Sequence, residues 1–144
     1  MIEQDTVKLL RECDAGVKMG ISSIEDVLGH VKAPTLERLL TDCKREHESL
    51  GEEIQRSLHR FSDEGKEPPA MASVMSELTA KFKLAVNESD ATISDLMTDG
   101  CDMGVKSLSR YLNQYKAADE VSKDIAKRLI QQEANLAVNM RPYL

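Results

Sequence analysis

Apolar residues recur at steps of three and four positions along almost the whole chain, and this periodicity constrains the fold most. Such a step places apolar side chains on one face of an α-helix, whereas a strand needs a step of two. The pattern stops in only two short stretches, around Gly29 to Pro34 and in the breaker cluster at 62–69. Gly29 is expected to cap the first helix. The sequence therefore predicts an all-α fold.

The third predicted helix begins at a change of phase within residues 71–115. Residues 71–85 keep a heptad spacing that would next place Ser89 in the core, but the apolar stripe restarts at Ile93 instead. Asn87 and Ser89 supply capping chemistry at this point, which indicates a break. The predicted helices cover residues 3–29, 35–62, 89–116 and 119–142.

The connection between the second and third helices is unusually long. Eight extended residues span at most about 28 Å, whereas each predicted helix is near 40 Å long. Adding a helix-like stretch at 71–86, about 24 Å long, closes that gap. We therefore predict a single domain over residues 1–144, a four-helix bundle of two antiparallel helical hairpins joined by a long, partly helical crossover at 63–88.

Two segments of the chain are near-repeats. Residues 13–18 read Cys-Asp-Ala-Gly-Val-Lys, and residues 101–106 read Cys-Asp-Met-Gly-Val-Lys. Each predicted helix that carries a copy also holds a pair of glycines four positions apart. A glycine inside a helix costs about 1 kcal/mol relative to alanine, so these four need a reason. We expect close approach of helix backbones at mid-bundle, at the following positions: Gly16, Gly20, Gly100 and Gly104.

Charge and composition exclude several classes of partner. The formal charge of -6 and the pI near 5.1 are opposite to those of a phosphate-binding surface, so we expect no nucleic-acid partner. No apolar run is long enough to span a bilayer and no signal peptide is recognisable, so we expect no membrane association and a cytoplasmic location. The odd number of cysteines, which are Cys13, Cys43 and Cys101, is typical of reduced thiols.

The paired hairpins, the long central connection and the Glu-His-Glu triplet at 46–48 resemble the ferritin-like superfamily. Within that superfamily, the repeat and the C-terminal sequence RLIQQEANLAVNMRPYL at 128–144 are similar to uncharacterised bacterial members known only as domains of unknown function. The resemblance covers nearly the whole chain. It implies a fold but no activity, because one fold carries many functions.

The resemblance also implies a di-iron site, and here the sequence departs from the pattern. Such a site takes one glutamate from each of two helices and a Glu-x-x-His pair from each of the other two. Lys44 stands three positions before His47, where a carboxylate is required, and Leu136 stands three positions after Glu133, where a histidine is required. We therefore expect no complete di-iron site and no ferroxidase activity.

A reduced, mononuclear metal site stays open as an alternative. With the helices laid level, His47 and Glu133 fall near mid-bundle, with Asp14 and either Asp99 or Asp102 nearby. We take His47, Glu133, Asp14 and Asp99 as candidate ligands for a divalent ion, iron or zinc. The other interpretation is a buried histidine that hydrogen-bonds Glu133 or a backbone carbonyl. The sequence does not decide whether Asp99 or Asp102 faces the core.

Cys43 and His47 lie four positions apart on one helix face, a spacing that chelates zinc or copper when another ligand joins. Cys13 or Cys101 would supply that ligand only if the fold brings one of them in. Buried cysteine otherwise behaves as a small apolar residue. No Ser-His-Asp set, phosphate-binding loop or Cys-His dyad is recognisable, so the sequence favours a protein that is not an enzyme.

Two function classes follow from these residues. The first is a non-catalytic structural or stress-related bundle that forms a homo-oligomer, with a homodimer as the expected state. The second is a metal-binding protein with the mononuclear mid-bundle site. The homodimer rests on apolar residues predicted to lie outside the inward stripe, which are Leu9, Leu39, Ile130 and Val138.

Overall fold

Four helices form the part of the chain that the computed structural model describes, residues 2–66 and 89–144. They are α1 (Ile2–Leu28), α2 (Pro34–His59), α3 (Asp90–Gln114) and α4 (Glu120–Met140), followed by a 3₁₀ turn over Arg141–Tyr143. The described ranges contain no strand. All four predicted helices are present, and the bounds differ most at the end of α2, which was predicted at 62. Within the predicted crossover, residues 67–88 lie outside the described part of the chain.

Local chemistry accounts for most of the helix ends. Pro34 occupies the first turn of α2, where its missing N–H costs nothing. Ser89 and Asp119 each accept a hydrogen bond from the backbone N–H three residues later, at 3.1 and 2.8 Å. The helix α1 ends at Leu28, directly before Gly29, as the prediction of a stop at that glycine required. Gly29 does not adopt the left-handed conformation common at such a position, since in the described residues only Ser62 and Gly65 have a positive φ.

The direction of each helix follows from hydrogen bonds at the two ends of the bundle. At one end the Asp119 N–H donates to Thr6 Oγ1 at 2.8 Å, so α1 and α4 begin side by side. At the other end the backbone N–H groups of Lys32 and Ala33 donate to Asp90 at 2.8 and 2.9 Å, so the α1–α2 loop lies beside the start of α3. Thus α1 and α4 run one way, and α2 and α3 run the other.

Contacts between the helices complete the bundle. The helix α1 packs against α2, α3 and α4, and α4 also packs against α2 and α3. Two antiparallel hairpins, α1–α2 and α3–α4, therefore lie face to face, as predicted. Because α2 and α3 are parallel, the described chain leaves α2 at one end of the bundle and resumes at the other.

Two apolar clusters fill the interior, one towards each end of the bundle. The first lies where α1 and α4 begin, and the second lies where α2 and α3 begin. Complete removal of a Leu or Ile side chain from water stabilises a fold by about 1.5–3 kcal/mol. Fully buried members of the first cluster include Leu10, Ile54, Ile125 and Leu129, and those of the second include Leu36, Leu40, Ile93 and Met140.

Most of the apolar residues predicted to lie outside the core are buried or partly buried. Leu9 is completely buried in the first cluster, so its assignment outside the core is wrong. The helix α1 faces three other helices, and its apolar face is accordingly wider than one stripe. Leu39 and Ile130 are partly buried against the clusters, and only Val138 is well exposed, at 48%.

Hydropathy along the described helices gives one further result. None of them combines the length and the apolar content needed to cross a lipid bilayer.

Candidate mid-bundle polar site

A histidine and a glutamate meet between the two apolar clusters. The imidazole Nε2 of His47, on α2, lies 2.8 Å from Oε1 of Glu133, on α4. The two residues are only 1% and 9% exposed. The predicted contact between them is therefore present. A polar pair in this position is costly unless each group satisfies the other.

The second ring nitrogen of His47 fixes how the ring is protonated. Nδ1 lies 3.1 Å from the backbone carbonyl oxygen of Cys43, one turn earlier on α2. A carbonyl only accepts, so Nδ1 carries a hydrogen. Nε2 then either donates to the Glu133 carboxylate, as part of an imidazolium, or accepts from a protonated carboxyl group.

The charges around the ring favour the imidazolium. Burial lowers the pKa of His47, but the hydrogen bonds and charges of Cys43 and Glu133 act against burial and raise that pKa to about 10. At neutral pH the pair is therefore an ion pair in which both ring nitrogens donate. Such a pair holds its two helices in register but leaves little capacity for proton transfer near pH 7.

Gly20, on α1, packs directly against this pair. A Cβ atom at position 20 would lie 2.8 Å from Cδ2 and 2.9 Å from Nε2 of His47, and 3.2 Å from Oε1 of Glu133. These separations are too short for ordinary contact, and the imidazole is rigid. The sequence analysis did not predict that Gly20 packs against His47. The signal that could have shown it was a glycine that destabilises its helix and lies level with His47.

The other three glycines of the two near-repeat helices have ordinary or open surroundings. Their added Cβ atoms would meet Leu129 at 3.5 Å from Gly16 and the Glu133 side chain at 3.7 Å from Gly104, while Gly100 has nothing within 4 Å. At none of the four is a partner-helix backbone atom among the nearest neighbours. The prediction that all four mark close backbone approach is therefore wrong.

Two of the three thiols border the polar pair. Cys43 Sγ lies 3.6 Å from Nδ1 of His47. On α3, Cys101 is 2% exposed, and burial together with the negative charge of Glu133 raises the pKa of its thiol. Cys13 belongs to the first apolar cluster, where burial, then Glu12 and Asp14, raise its thiol pKa to about 12. All three are free thiols.

Asp14 lies in a different cluster from His47. Its carboxylate accepts hydrogen bonds from Gln55 Nε2 at 2.7 Å and from the Lys66 backbone N–H at 3.0 Å. Lys18 Nζ is 2.9 Å from the same carboxylate. Asp14 is therefore a buried anchor for the segment that follows α2 and is not brought to the His47–Glu133 pair.

The remaining aspartates face away from the core. Asp99 and Asp102 are both exposed on α3, so neither of them faces the core. Within residues 2–66 and 89–144, no group of three or more His, Cys, Asp and Glu side chains could hold a metal ion. Of the four candidate ligands, the fold brings together His47 and Glu133 only.

The residues present do not fit a di-iron centre. Lys44, in the position of a bridging carboxylate, is partly buried, and its Nζ is 3.5 Å from Glu25 Oε1. Leu136, in the position of a histidine, is 4% exposed in the second apolar cluster. At the level of His47, α1 offers Gly20 and no carboxylate. Two iron ions would lack most of the oxygen and nitrogen ligands they require.

The fold and site together define a four-helix bundle with a buried histidine–glutamate pair at its centre. No protein-family description matches the chain, and no curated protein matches its sequence.

Proposed function

We propose that this protein is a non-catalytic, structural helical bundle that works as a homo-oligomer and has no di-iron centre. The observation that carries the proposal is the closed mid-bundle pair, with His47 Nε2 2.8 Å from Glu133 Oε1 and Gly20 packed against both. A ferritin-like metal centre would occupy this level of a bundle. In this bundle protein atoms fill the space at that level, and the polar groups of His47 and Glu133 satisfy each other by hydrogen bonding.

The same distance weighs against an ion bound between His47 and Glu133. Two ligands of one tetrahedral zinc, at about 2.05 Å for nitrogen and 2.1 Å for oxygen, lie about 3.4 Å apart. The 2.8 Å separation of Nε2 and Oε1 is that of a direct, charge-assisted hydrogen bond. A mononuclear site with both residues as ligands would require the pair to open, so it stands as the second candidate.

We also propose that the bundle has the ferritin-like arrangement. Its support is the parallel course of α2 and α3, derived from the Thr6–Asp119 bond at one end and the Ala33–Asp90 bond at the other. A bundle of two antiparallel hairpins joined by one long connection is the arrangement found in ferritin-like folds. The buried free thiols support a reducing compartment such as the cytoplasm.

Iron-dependent oxygen consumption tests the absence of a di-iron centre. With Fe(II) added at two ions per chain, we expect the rate of oxygen consumption to equal that of the same buffer without protein. The variant Lys44→Glu with Leu136→His completes both Glu-x-x-His pairs but still lacks a carboxylate from α1 and from α3, so we expect it to consume no more oxygen than the wild type. Protein-dependent oxygen consumption by the wild type would contradict the proposal.

Sedimentation velocity at tens of micromolar tests the oligomer. We expect a dimer of the 16.1 kDa chain. Exposed large apolar side chains on the described surface are available to such an interface, namely Met103, Val121, Val138 and Leu144. A single monomeric species at that concentration would contradict the homo-oligomer but leave the absence of a di-iron centre untouched.

A further inference from the structure

The outward face of the second half of α4 carries no charged side chain. Within residues 129–140 of this described helix the only charged residue is Glu133, which is buried at the centre of the bundle. We call the exposed residues of this stretch the neutral face, and they are Gln131, Asn135, Val138 and Asn139. The first three are spaced by four and then three residues, so they project from one side of the helix.

The neutral face differs in composition from the outward faces of α2 and α3. Exposed charged residues on those two helices include Glu37, Arg38, Glu48, Glu52, Asp95, Asp99, Lys106 and Arg110. The core of a protein–protein interface is depleted of charged residues, whereas the rim around it is polar. The neutral face thus has the composition of an interface core.

Val138 has different neighbours from the other exposed valine of α4. The two side chains are exposed to a similar extent, 48% for Val138 and 52% for Val121. Val121 lies beside the exposed carboxylates of Glu120 and Asp124, and a contact there would have to remove water from those charges. Within α4 the exposed neighbours of Val138 are amides of the neutral face. Burial of Val138 against a partner is therefore the less costly of the two.

The amides of the neutral face are complementary to an identical set of amides. Gln131 Nε2 donates to Asn135 Oδ1 at 2.8 Å. Each side-chain amide has two N–H donors and a carbonyl acceptor, so this one bond leaves further donors and acceptors for a second partner. A face charged with one sign would repel its own copy, whereas a face of amides does not. The chemistry therefore fits a second copy of this chain.

A groove between α2 and α4 lies beside the neutral face, because Gln132 in its wall directly follows Gln131. Its volume is about 190 Å³. Cavities of about 150 Å³ hold a benzene molecule, so the groove has room for one aliphatic side chain from a partner. The groove is lined by Glu46, Ser49, Leu50, Glu53, Arg128 and Gln132.

We propose that two copies of this chain associate through their neutral faces, with α4 packed antiparallel on α4 about a twofold axis beside Asn135. This interface belongs to the homo-oligomer proposed above, so it rests on that proposed function. Asn135 is the middle residue of the neutral face, and a twofold interface brings each residue opposite its symmetric counterpart. Gln131 of one copy then meets Asn139 of the other. Val138 of each copy lies opposite Gln132 of the other, at the edge of the groove.

Sedimentation of matched arginine variants of the full chain tests this interface. The wild type, Val138→Arg, Asn135→Arg and Val121→Arg are compared over a concentration series that includes tens of micromolar. We expect a dimer for the wild type and for Val121→Arg. The dimer dissociation constant should be at least about tenfold larger for the other two variants, because each copy then places a cation against a cation or in an uncharged contact. Val121 is the matched control, since it is equally exposed on the same helix.

Cross-linking covers the case in which an arginine variant does not fold. A short bismaleimide should link two copies of Asn135→Cys, which meet at the axis. It should not link two copies of Val121→Cys, which lie about 40 Å apart in the antiparallel arrangement. The native cysteines are buried and should not react.

The outcomes separate this interface from the homo-oligomer itself. A dimer that persists unchanged in Val138→Arg and Asn135→Arg, an equal weakening by Val121→Arg, or equal cross-linking of the two cysteine variants would overturn the interface and leave the homo-oligomer standing. A wild type that stays monomeric at tens of micromolar would overturn both.

Discussion

His47 is held from both sides of its ring, by a backbone carbonyl of its own helix and by a carboxylate from α4. A single residue thereby links two helices at the level where the apolar core is interrupted. Removing one partner would leave a buried charge unpaired, which costs more than the pair itself contributes. The pair is therefore a point where small changes have large effects.

Gly20 and Gly100 give a matched test of how tightly the pair is packed. An alanine at position 20 would press its Cβ against the rigid imidazole at 2.8 Å, whereas one at position 100 would meet nothing within 4 Å. We expect Gly20→Ala to lower the free energy of unfolding by about 1–3 kcal/mol. Gly100→Ala should raise it by up to about 1 kcal/mol through helix propensity. Urea unfolding measures both, and equal effects at the two positions would contradict the packing.

The raised pKa of His47 predicts how stability depends on pH. Below about pH 6.5 the imidazole is charged in both folded and unfolded chains, so its stabilising contribution is complete. Between that value and about 10 only the folded chain keeps the proton, so the free energy of unfolding must fall as pH rises. From pH 6.5 to 8.5 we expect a loss of up to about 2 kcal/mol.

The control for that pH dependence is the double variant His47→Leu with Glu133→Leu, which should lose less stability over the same interval. The raised pKa values of Cys13 and Cys101 act in the same direction, but only above their ordinary value of 9.0. Parallel pH profiles for wild type and double variant would show that His47 does not retain its proton.

The sequence predicted some of these contacts and not others, for physical reasons. The contact between His47 and Glu133 was predicted from their equal heights along straight helices, and that height depends only on the rise per residue. Asp99 was wrongly predicted to face the site because its height along the bundle matches that of the site, whereas its side chain projects from another face of α3. Hydrophobic periodicity does not define the orientation of a single polar residue. Gly20 was predicted to allow close approach of a helix backbone, because the absence of a side chain does not show which neighbouring group occupies the space; that group is the His47 side chain.

At the scale of elements, residues 63–66 form an anchor segment that fastens the exit from α2 onto α1. Asp63 pairs with Arg11, and Lys66 Nζ is 2.6 Å from Glu12 Oε1. The buried carboxylate of Asp14 accepts the Lys66 backbone N–H at 3.0 Å. The sequence marked this stretch as a helix breaker but gave no sign that it is bonded to α1.

Gly65 is the sensitive position of the anchor segment. Its φ of +95° suits glycine, and a Cβ there would collide with Oδ2 of Asp14. We expect Gly65→Ala to destabilise the protein by about 1–3 kcal/mol. Gly29→Ala, in a loop where an added Cβ meets nothing within 4 Å, is the control. Thermal denaturation that ranks the two variants equally would contradict the anchoring role.

The helices themselves were the most predictable elements. Their apolar period and caps are local properties, and Ser89 caps α3 as expected. Their ends were less predictable, since α2 stops at His59 although Phe61 continues its apolar phase. Phe61 packs against the first cluster from the turn after the helix, so its burial reflects tertiary contact and not helix geometry.

At the scale of the whole molecule, two apolar clusters are joined through one polar layer. The layer draws on all four helices: Gly20 of α1, His47 of α2, Gly104 of α3 and Glu133 of α4. A satisfied buried polar layer favours one register of the helices over its alternatives. This layer supports the proposed structural role, in which the buried ion pair fixes the register of the helices.

A double-mutant cycle on His47 and Glu133 tests this central claim most directly. Urea unfolding of wild type, His47→Leu, Glu133→Leu and the double variant gives four free energies of unfolding at pH 7. Each single change leaves one buried group without its partner, at a cost of about 1–3 kcal/mol. We predict that the double variant is at least about 1 kcal/mol more stable than the sum of the single losses implies. Additive losses, within about 0.5 kcal/mol, would mean that the two side chains do not meet in solution and would contradict the account.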